Sequence, residues 1–521
     1  MEVRHEAEPA VSKNGRLFDD HRTESGLGRR SLRSGALTIV ARVLNAAIQV
    51  VSVLVLARLL SPEDYGLVGM VAVLTGFAPV LVSLGTPDVV TQRRSITEGE
   101  VSALFWLSLT IGITCAVLMG ACGSLIAQFY GEPRLASLAM VSGLTFMVSA
   151  LHCQHYALLR RAMRFSELGI IDVTANLLSV AIAVTMAFYG FHYWALVVRP
   201  IVTNAFVAAG VWLRCGWLPR WPTTTSEVKE MVKGGLNITG FTMTDFAGKS
   251  ADRVAIGYSQ GPQALGYYQN AMFIYENLLD VVTAPLHGVA VASLSKVVGD
   301  LNELKRLWSK ALVTLEFYAM PAFGILAVTS QDIVVLLLGK KWAVAGSILS
   351  IVALRGIPHS VERTLGWLHV AAGRTERWIR WGLAATGIQW IALFCGLPFG
   401  VRGVVIAYVV SMFGIFIPAI AYAGHPLGIK ARDVIRVSWR PLVGSLVAAA
   451  VGFALRDTVL AQQSAFLRTV ALATAYTTVY LAIVVGLFKL RTPVAVLMVL
   501  ARDVLPAPVA RLVPVPSMDV G

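Results

Sequence analysis

Between residues 244 and 257 the chain reads TDFAGKSADRVAIG, with Asp245, Lys249, Asp252 and Arg253 set between apolar flanks. At about 100° per residue, these four side chains share one arc of roughly 100° on a helix. Other apolar runs repeat the device. Arg42, Asn45 and Gln49 share a narrow arc in the first, and Arg355, His359, Glu362 and Arg363 follow helical spacing in the tenth. The fifth run carries Asp172 and Asn176, the sixth Arg199 just before Pro200, and the eighth Glu276, Asp280 and His287. Such groups can bind a charged ligand, carry ions, or pair with one another. Asp245 and Lys249, one helical turn apart, could pair within their own helix. Yet buried ion pairs barely offset their desolvation, so a set this large would be a poor way to hold helices together. The functional alternative is a water-filled cavity lined by helices 1, 7, 8 and 10, along which a polar substrate moves.

The sign of that substrate is not fixed by counting. The bases Arg42, Arg199, Lys249, Arg253, Arg355 and Arg363 are matched by Asp172, Asp245, Asp252, Glu276, Asp280, Glu316 and Glu362. Arginine suits phosphate through bidentate hydrogen bonds, which favours an anionic or diphosphate-bearing ligand.

The elements that must position these residues follow from composition. The chain has 521 residues, 56% hydrophobic and 14% charged, where soluble domains carry about 25% charge. It reads as an all-α integral membrane protein. A net charge of +14 could suggest nucleic acid, but the basic residues fall between apolar runs rather than along one basic and aromatic face, so no nucleic-acid partner is expected. The five cysteines show no CxxC pair and lie in or beside apolar runs, so they read as packing residues rather than disulfide or zinc ligands. The polar first ~30 residues lack an apolar core, so no cleavable signal peptide is expected.

About 20 apolar residues span a bilayer. Such runs begin near residues 35, 66, 101, 135, 166, 192, 234, 267, 308, 343, 377, 401, 441 and 466, giving fourteen expected helices, the thirteenth (441–456) short. With the N-terminus inside, alternate connections collect most Lys and Arg, among them Arg160, Arg161, Arg164, Arg374, Arg377 and Arg380. The opposite connections hold only Arg58, Arg134, Lys340, Lys341, Arg402, Arg456 and Arg468. The positive-inside rule therefore predicts both termini in the cytoplasm. The expected organisation is a polar tail (1–34), an N-lobe of helices 1–6 (35–214), a cytoplasmic linker (215–233), a C-lobe of helices 7–12 (234–424), helices 13–14 (425–490) and a cytoplasmic tail (491–521). Within the linker, TSEVKEMVK predicts a short capped surface helix.

A shift of 200 residues lays LLSPEDYGLVG on SQGPQALGYYQ, bringing Pro62 onto Pro262 and Gly66 onto Gly266. The same shift sets Asn45 on Asp245 and Gln49 on Lys249. Equal spans in each half give parallel repeats, whose substrate site is expected at their interface. Other motifs yield little. His152 and His155 have metal-compatible spacing but no nearby third ligand, and there is no phosphate-cradling GxxxxGK[ST] loop or GxSxG elbow. No catalytic residue, metal or cofactor is expected.

Three segments resemble the Wzx-type polysaccharide flippases of the multidrug/oligosaccharidyl-lipid/polysaccharide (MOP) superfamily, polysaccharide transport family. They are LVLARLLSPEDYGLVGMVAVLTGFAPVLVSLGTPDVVTQRR (54–94), DRVAIGYSQGPQALGYYQNAMFI (252–274) and LLGKKWAVAGSILSIVAL (337–354). The resemblance implies two six-helix lobes in a V plus two C-terminal helices. It also implies alternating-access translocation of undecaprenyl-diphosphate-linked oligosaccharide, from exopolysaccharide, O-antigen or capsule synthesis, across the bacterial inner membrane. A polymerase and a chain-length regulator are the implied partners. Arg42, Asp245, Lys249, Asp252 and Arg253 match cavity positions of the family, while Glu276, Asp280 and Glu362 are candidates for ion coupling. The alternatives are a drug or cation antiporter of the same superfamily and a membrane polysaccharide polymerase or ligase. The latter usually needs a large periplasmic loop, which this sequence lacks.

Overall fold

The computed structural model describes residues 27–493 except 94, 223–225, 491 and 492, with backbone alone at 27–36, 226, 237, 238, 241, 244, 245, 247, 249 and 375. Among these residues the chain is helical throughout, without strands. The tail expected at 491–521 lies, apart from residue 493, outside the described residues.

The first helix, α1 (Leu27–Leu59), begins inside the stretch read as polar tail. It is followed by α2 (Pro62–Thr75), α3 (Ala78–Ser83), α4 (Thr86–Gln92), α5 (Glu98–Ala121) and α6 (Gly123–Tyr130). Next come α7 (Arg134–Arg161), α8 (Phe165–Phe188), α9 (Tyr193–Cys215) and α10 (Ser226–Lys296). The remainder is α11 (Leu301–Leu338), α12 (Ala343–Leu354), α13 (Gly356–Ala371), α14 (Thr375–Gly396), α15 (Gly400–Gly424), α16 (Ala431–Asp457) and α17 (Ala465–Leu481). By packing, the chain divides into two compact units, Met1–Gly266 and Tyr267–Gly521.

Among the described residues, eleven stretches are long and apolar enough to cross a membrane, or twelve if α12 and α13, bent by 49°, make one crossing. The expected fourteen are therefore not recovered by length and hydropathy. Two pairs of expected helices run together in that count, Glu376–Leu427 (52 residues) and much of α10 (Ser250–Lys296, 47 residues). Helix α10 is continuous except at Gly261, whose φ of 80° only glycine adopts without strain. The helix expected to be short, α16, has 27 residues.

Sequence-local signals set the boundaries. Ser61 and Thr97 cap α2 and α5 in reciprocal capping boxes with Asp64 and Glu100, satisfying amides that lipid cannot. Within the apolar helices, Thr110, Thr114, Thr174 and Thr185 return their hydroxyls to carbonyls one turn back, leaving no free donor. At the turn after α6, Arg134 reaches both Glu132 (2.7 Å) and Glu63 (2.5 Å). The guanidinium hydrogen bond holds the Glu132 carboxyl below its ordinary range.

The first unit packs around Val90, Leu104, Phe105, Leu158 and Val211. Buried Gln154 donates to Thr86 Oγ1 (2.8 Å) and Ser108 Oγ (3.4 Å), pinning α4 and α5 to α7. The linker is part of this core. Trp217 is buried, Trp221 stacks on Trp106 at 5.8 Å, and Trp106 Nε1 donates to the Arg220 carbonyl. Residues 226–233, expected as a separate surface helix, are instead the first turns of α10, with Val228 and Met231 buried in the same core. Helix was expected there, but the face that Val228 and Met231 bury depends on a tertiary neighbour that the segment itself does not reveal.

In the second unit, α11 packs against α12, α13, α16 and α17. Phe317, Val328, Ala448, Leu472, Tyr476 and Tyr480 form the core of its C-terminal part. Large apolar side chains such as Val43, Ile170, Ile391, Phe394 and Val410 remain exposed, as lipid-facing positions do.

Candidate functional site

In the first unit, five of the predicted residues, Asn45, Gln49, Asp172, Asn176 and Arg199, form part of a polar ladder between α1, α7, α8 and α9. Asn176 Nδ2 donates to Asn45 Oδ1 at 2.9 Å and to the Asp172 carbonyl at 3.1 Å. One turn along α1, Arg199 Nη2 donates to Gln49 Oε1 at 2.6 Å. Tyr156 OH donates to Asp172 Oδ2 at 2.9 Å, and Arg42, exposed one turn before Asn45, acts electrostatically on Tyr156. The backbones come close here: a Cβ at Gly169 would stand 2.8 Å from the Ala41 methyl. Carboxamides, a phenol and two guanidinium groups can meet sugar hydroxyls and an anion together.

The side chains of Asp245 and Lys249 lie outside the described residues. Asp252 and Arg253 are half-buried on the first arm of α10, where Asp252 Oδ1 accepts from the Arg253 backbone amide at 2.7 Å.

In the second unit, Arg355 stands at the bend between α12 and α13. Its guanidinium lies 5.6 Å from the Tyr408 ring centre, and its buried Nε has no hydrogen-bond partner. The bend fits because Gly356 abuts the Phe323 ring, 2.2 Å from where a Cβ would sit. One turn on, His359 Nδ1 and Tyr275 OH are 2.8 Å apart. Arg363 pairs with Asp280 at 3.4 Å, both exposed, and Glu276 is exposed one turn earlier. Glu362 instead borders a very small space with Met412, Ile415 and Phe416. Of the three ion-coupling candidates, Glu276 and Asp280 thus share an exposed helix face and Glu362 stands apart. His287 meets the Trp367 ring edge to face.

Sequence reasoning missed Tyr156, Tyr275, Tyr408 and Trp367. Each meets its partner (Asp172, His359, Arg355 or His287) from a different helix, so no spacing along the chain signals the pair, and hydropathy counts such aromatics as apolar. The two histidines with metal-like spacing are otherwise engaged: His152 Nε2 with Asn204 Oδ1 (2.9 Å), His155 Nε2 with the Trp217 carbonyl (3.2 Å). An apolar cavity of about 570 Å³ opens in the first unit between Leu74, Phe77, Leu118, Leu125, Phe129 and Tyr130.

A family described as polysaccharide biosynthesis protein matches residues 55–346. Among similar proteins, the lipopolysaccharide biosynthesis protein WzxC of Escherichia coli (strain K12) is 24% identical over 82% of this chain and 88% of its own length. The teichuronic acid biosynthesis protein TuaB of Bacillus subtilis (strain 168) is 23% identical over 71% of this chain and 77% of its own. Of solved structures, the lipid II flippase MurJ in an inward closed conformation has a TM-score of 0.67 at 14% identity, covering 88% of this chain and 99% of its own. An inward-facing MATE multidrug transporter of the MOP superfamily has a TM-score of 0.55 at 13% identity, covering 75% and 98%. These two likenesses are to the fold. The resemblance first carried by residues 54–94, 252–274 and 337–354 is borne out, and the chain belongs to the polysaccharide biosynthesis protein family.

Proposed function

We propose that this protein is a transporter rather than an enzyme, and that it moves an undecaprenyl-diphosphate-linked oligosaccharide across the bacterial inner membrane by alternating access. The observation that carries the reading is the family match over residues 55–346, which contains most of the polar ladder. WzxC and TuaB, named for polysaccharide synthesis, support the substrate class.

In this reading Arg42 and Arg199 meet the diphosphate, while Asn45, Gln49 and Asn176 exchange hydrogen bonds with the first sugars. Asp252 and Arg253, with Lys249 and Asp245, would extend that surface along α10, and Arg355 and Arg363 would act from the second unit. The prenyl tail stays in apolar surroundings, for which the cavity walled by Leu74, Phe77 and Phe129 is suited. Glu276, Asp280 and Glu362 would couple the cycle to an ion. Both termini face the cytoplasm, and the carried unit passes to a polymerase and its chain-length regulator.

The test is complementation in a bacterium lacking its exopolysaccharide flippase. The wild-type chain restores surface polymer, and Arg199→Ala or Asn45→Ala, inserted at wild-type level, lowers it about tenfold or more, as a loss of 1.4 kcal/mol or more of binding requires. No polymer from the wild type across several glycan backgrounds overturns the reading in favour of a drug or cation antiporter.

A further inference from the structure

The seam where α11, α16 and α17 meet contains a carboxyl group that the transport reading does not use. Glu316 is fully buried, and neither of its carboxyl oxygens has a hydrogen-bond partner. Its polar neighbours on the same seam are satisfied. Tyr480 OH donates to the Phe317 carbonyl at 2.8 Å, Tyr476 OH lies 2.5 Å from Ser445 Oγ, and Ser445 also reaches the Met320 carbonyl at 3.3 Å. Ser438 of α16 is the exception. Its buried hydroxyl faces Glu316 and acts on that carboxyl, but outside hydrogen-bond geometry.

No cation compensates Glu316 among the described residues that face it. From α17 it meets the Tyr480 phenol, and from α16 the Ser438 hydroxyl, with Arg436 and Arg440 exposed. Helix α12 carries no ionisable side chain. On α13, Arg355, His359 and Arg363 face Tyr408, Tyr275 and Asp280, while Glu362 and His369 lie against Phe416 and Tyr422. With one neutral hydroxyl, Ser438, as its nearest polar group and no counter-ion, a carboxylate in this apolar interior is far costlier than the neutral acid.

We propose that Glu316 is a proton-binding site: it holds a proton in the membrane interior, and the α11–α16–α17 seam admits water when that proton leaves. The bound acid offers its O–H to Ser438 Oγ, so one proton satisfies both orphaned groups. Gly324 keeps the seam tight, since a Cβ there would meet Tyr476 OH at 1.8 Å.

The test is difference infrared spectroscopy of the full chain in lipid nanodiscs, titrated with acid and base. At neutral pH the wild type shows an unionised-carboxyl band that Glu316→Gln lacks, and that Ser438→Ala moves to higher frequency as its hydrogen bond is lost. Raising the pH removes the band and speeds amide exchange in α16 and α17 of the wild type, but not of Glu316→Gln. Unionised-carboxyl intensity unchanged by Glu316→Gln overturns the proposal. A band that Ser438→Ala does not move, or exchange equally pH-dependent in wild type and Glu316→Gln, overturns it as well.

Discussion

Asp332 and Arg468 show how much a single side chain in this protein depends on its partner. Asp332 is 4% exposed and Arg468 23%, with Arg468 Nε donating to Asp332 Oδ2 at 2.9 Å and a second guanidinium contact beside it. Removing the guanidinium strands the nearly buried Asp332 carboxylate, so Arg468→Ala should cost about 3 kcal/mol, visible as a lower Tm of the purified chain. The double replacement Asp332→Leu with Arg468→Met should recover most of that loss, because two apolar groups of similar size leave nothing unpaired. A double variant as unstable as the single one would show that the pair itself, not the orphaned charge, is what matters. The pair joins residues far apart in sequence and could not have been read there. Asn45, Gln49 and Arg199 were legible because polar residues stand out against apolar runs. Glu316 was legible as an intramembrane acid, but its isolation is a property of the seam around it.

At the scale of helices, the most informative contact is between the two segments that matched in sequence. A Cβ at Gly66 would lie 1.6 Å from the Pro262 carbonyl oxygen, and one at Gly266 would lie 1.8 Å from the Pro62 carbonyl oxygen. The contact is reciprocal, as the 200-residue offset leads one to expect. Backbone meets backbone there, so neither neighbour can yield by rotating a side chain. Gly66→Ala and Gly266→Ala should each destabilise the protein by about 1–3 kcal/mol, whereas Gly240→Ala, at a position with open space, should be close to neutral. Thermal unfolding of the three variants decides the matter, and equal Tm values for all would refute the crossing. Helix existence and order were readable from apolar run length. The break at Gly261 falls between the expected seventh and eighth helices, at a Gly-Pro pair, whereas the bend at Arg355 was not readable, because apolar sequence supports helix on both sides and tertiary packing selects the bend.

The number of crossings decides how the whole molecule sits in the membrane. Eleven apolar stretches crossing once each would put the two termini on opposite sides, yet two of those stretches are too long to cross once. At 1.5 Å per residue, Glu376–Leu427 would reach about 78 Å against a hydrocarbon core of about 30 Å, and it is interrupted by the turn Leu397–Phe399. Ser250–Lys296 is interrupted at Gly261 in the same way. Counting each interruption as a reversal, and α12 with α13 as one bent crossing, makes the total even. That total agrees with the alternation of Lys and Arg along the connections. A fluorescent protein fused at either end should therefore fold and fluoresce. Alkaline phosphatase inserted at 131–133 or 458–463 should be active, and at 372–374 inactive. An active phosphatase at the C-terminus, with a fluorescent N-terminal fusion, would mean an odd count. One of the two long stretches would then have to lie along the membrane surface rather than cross it twice.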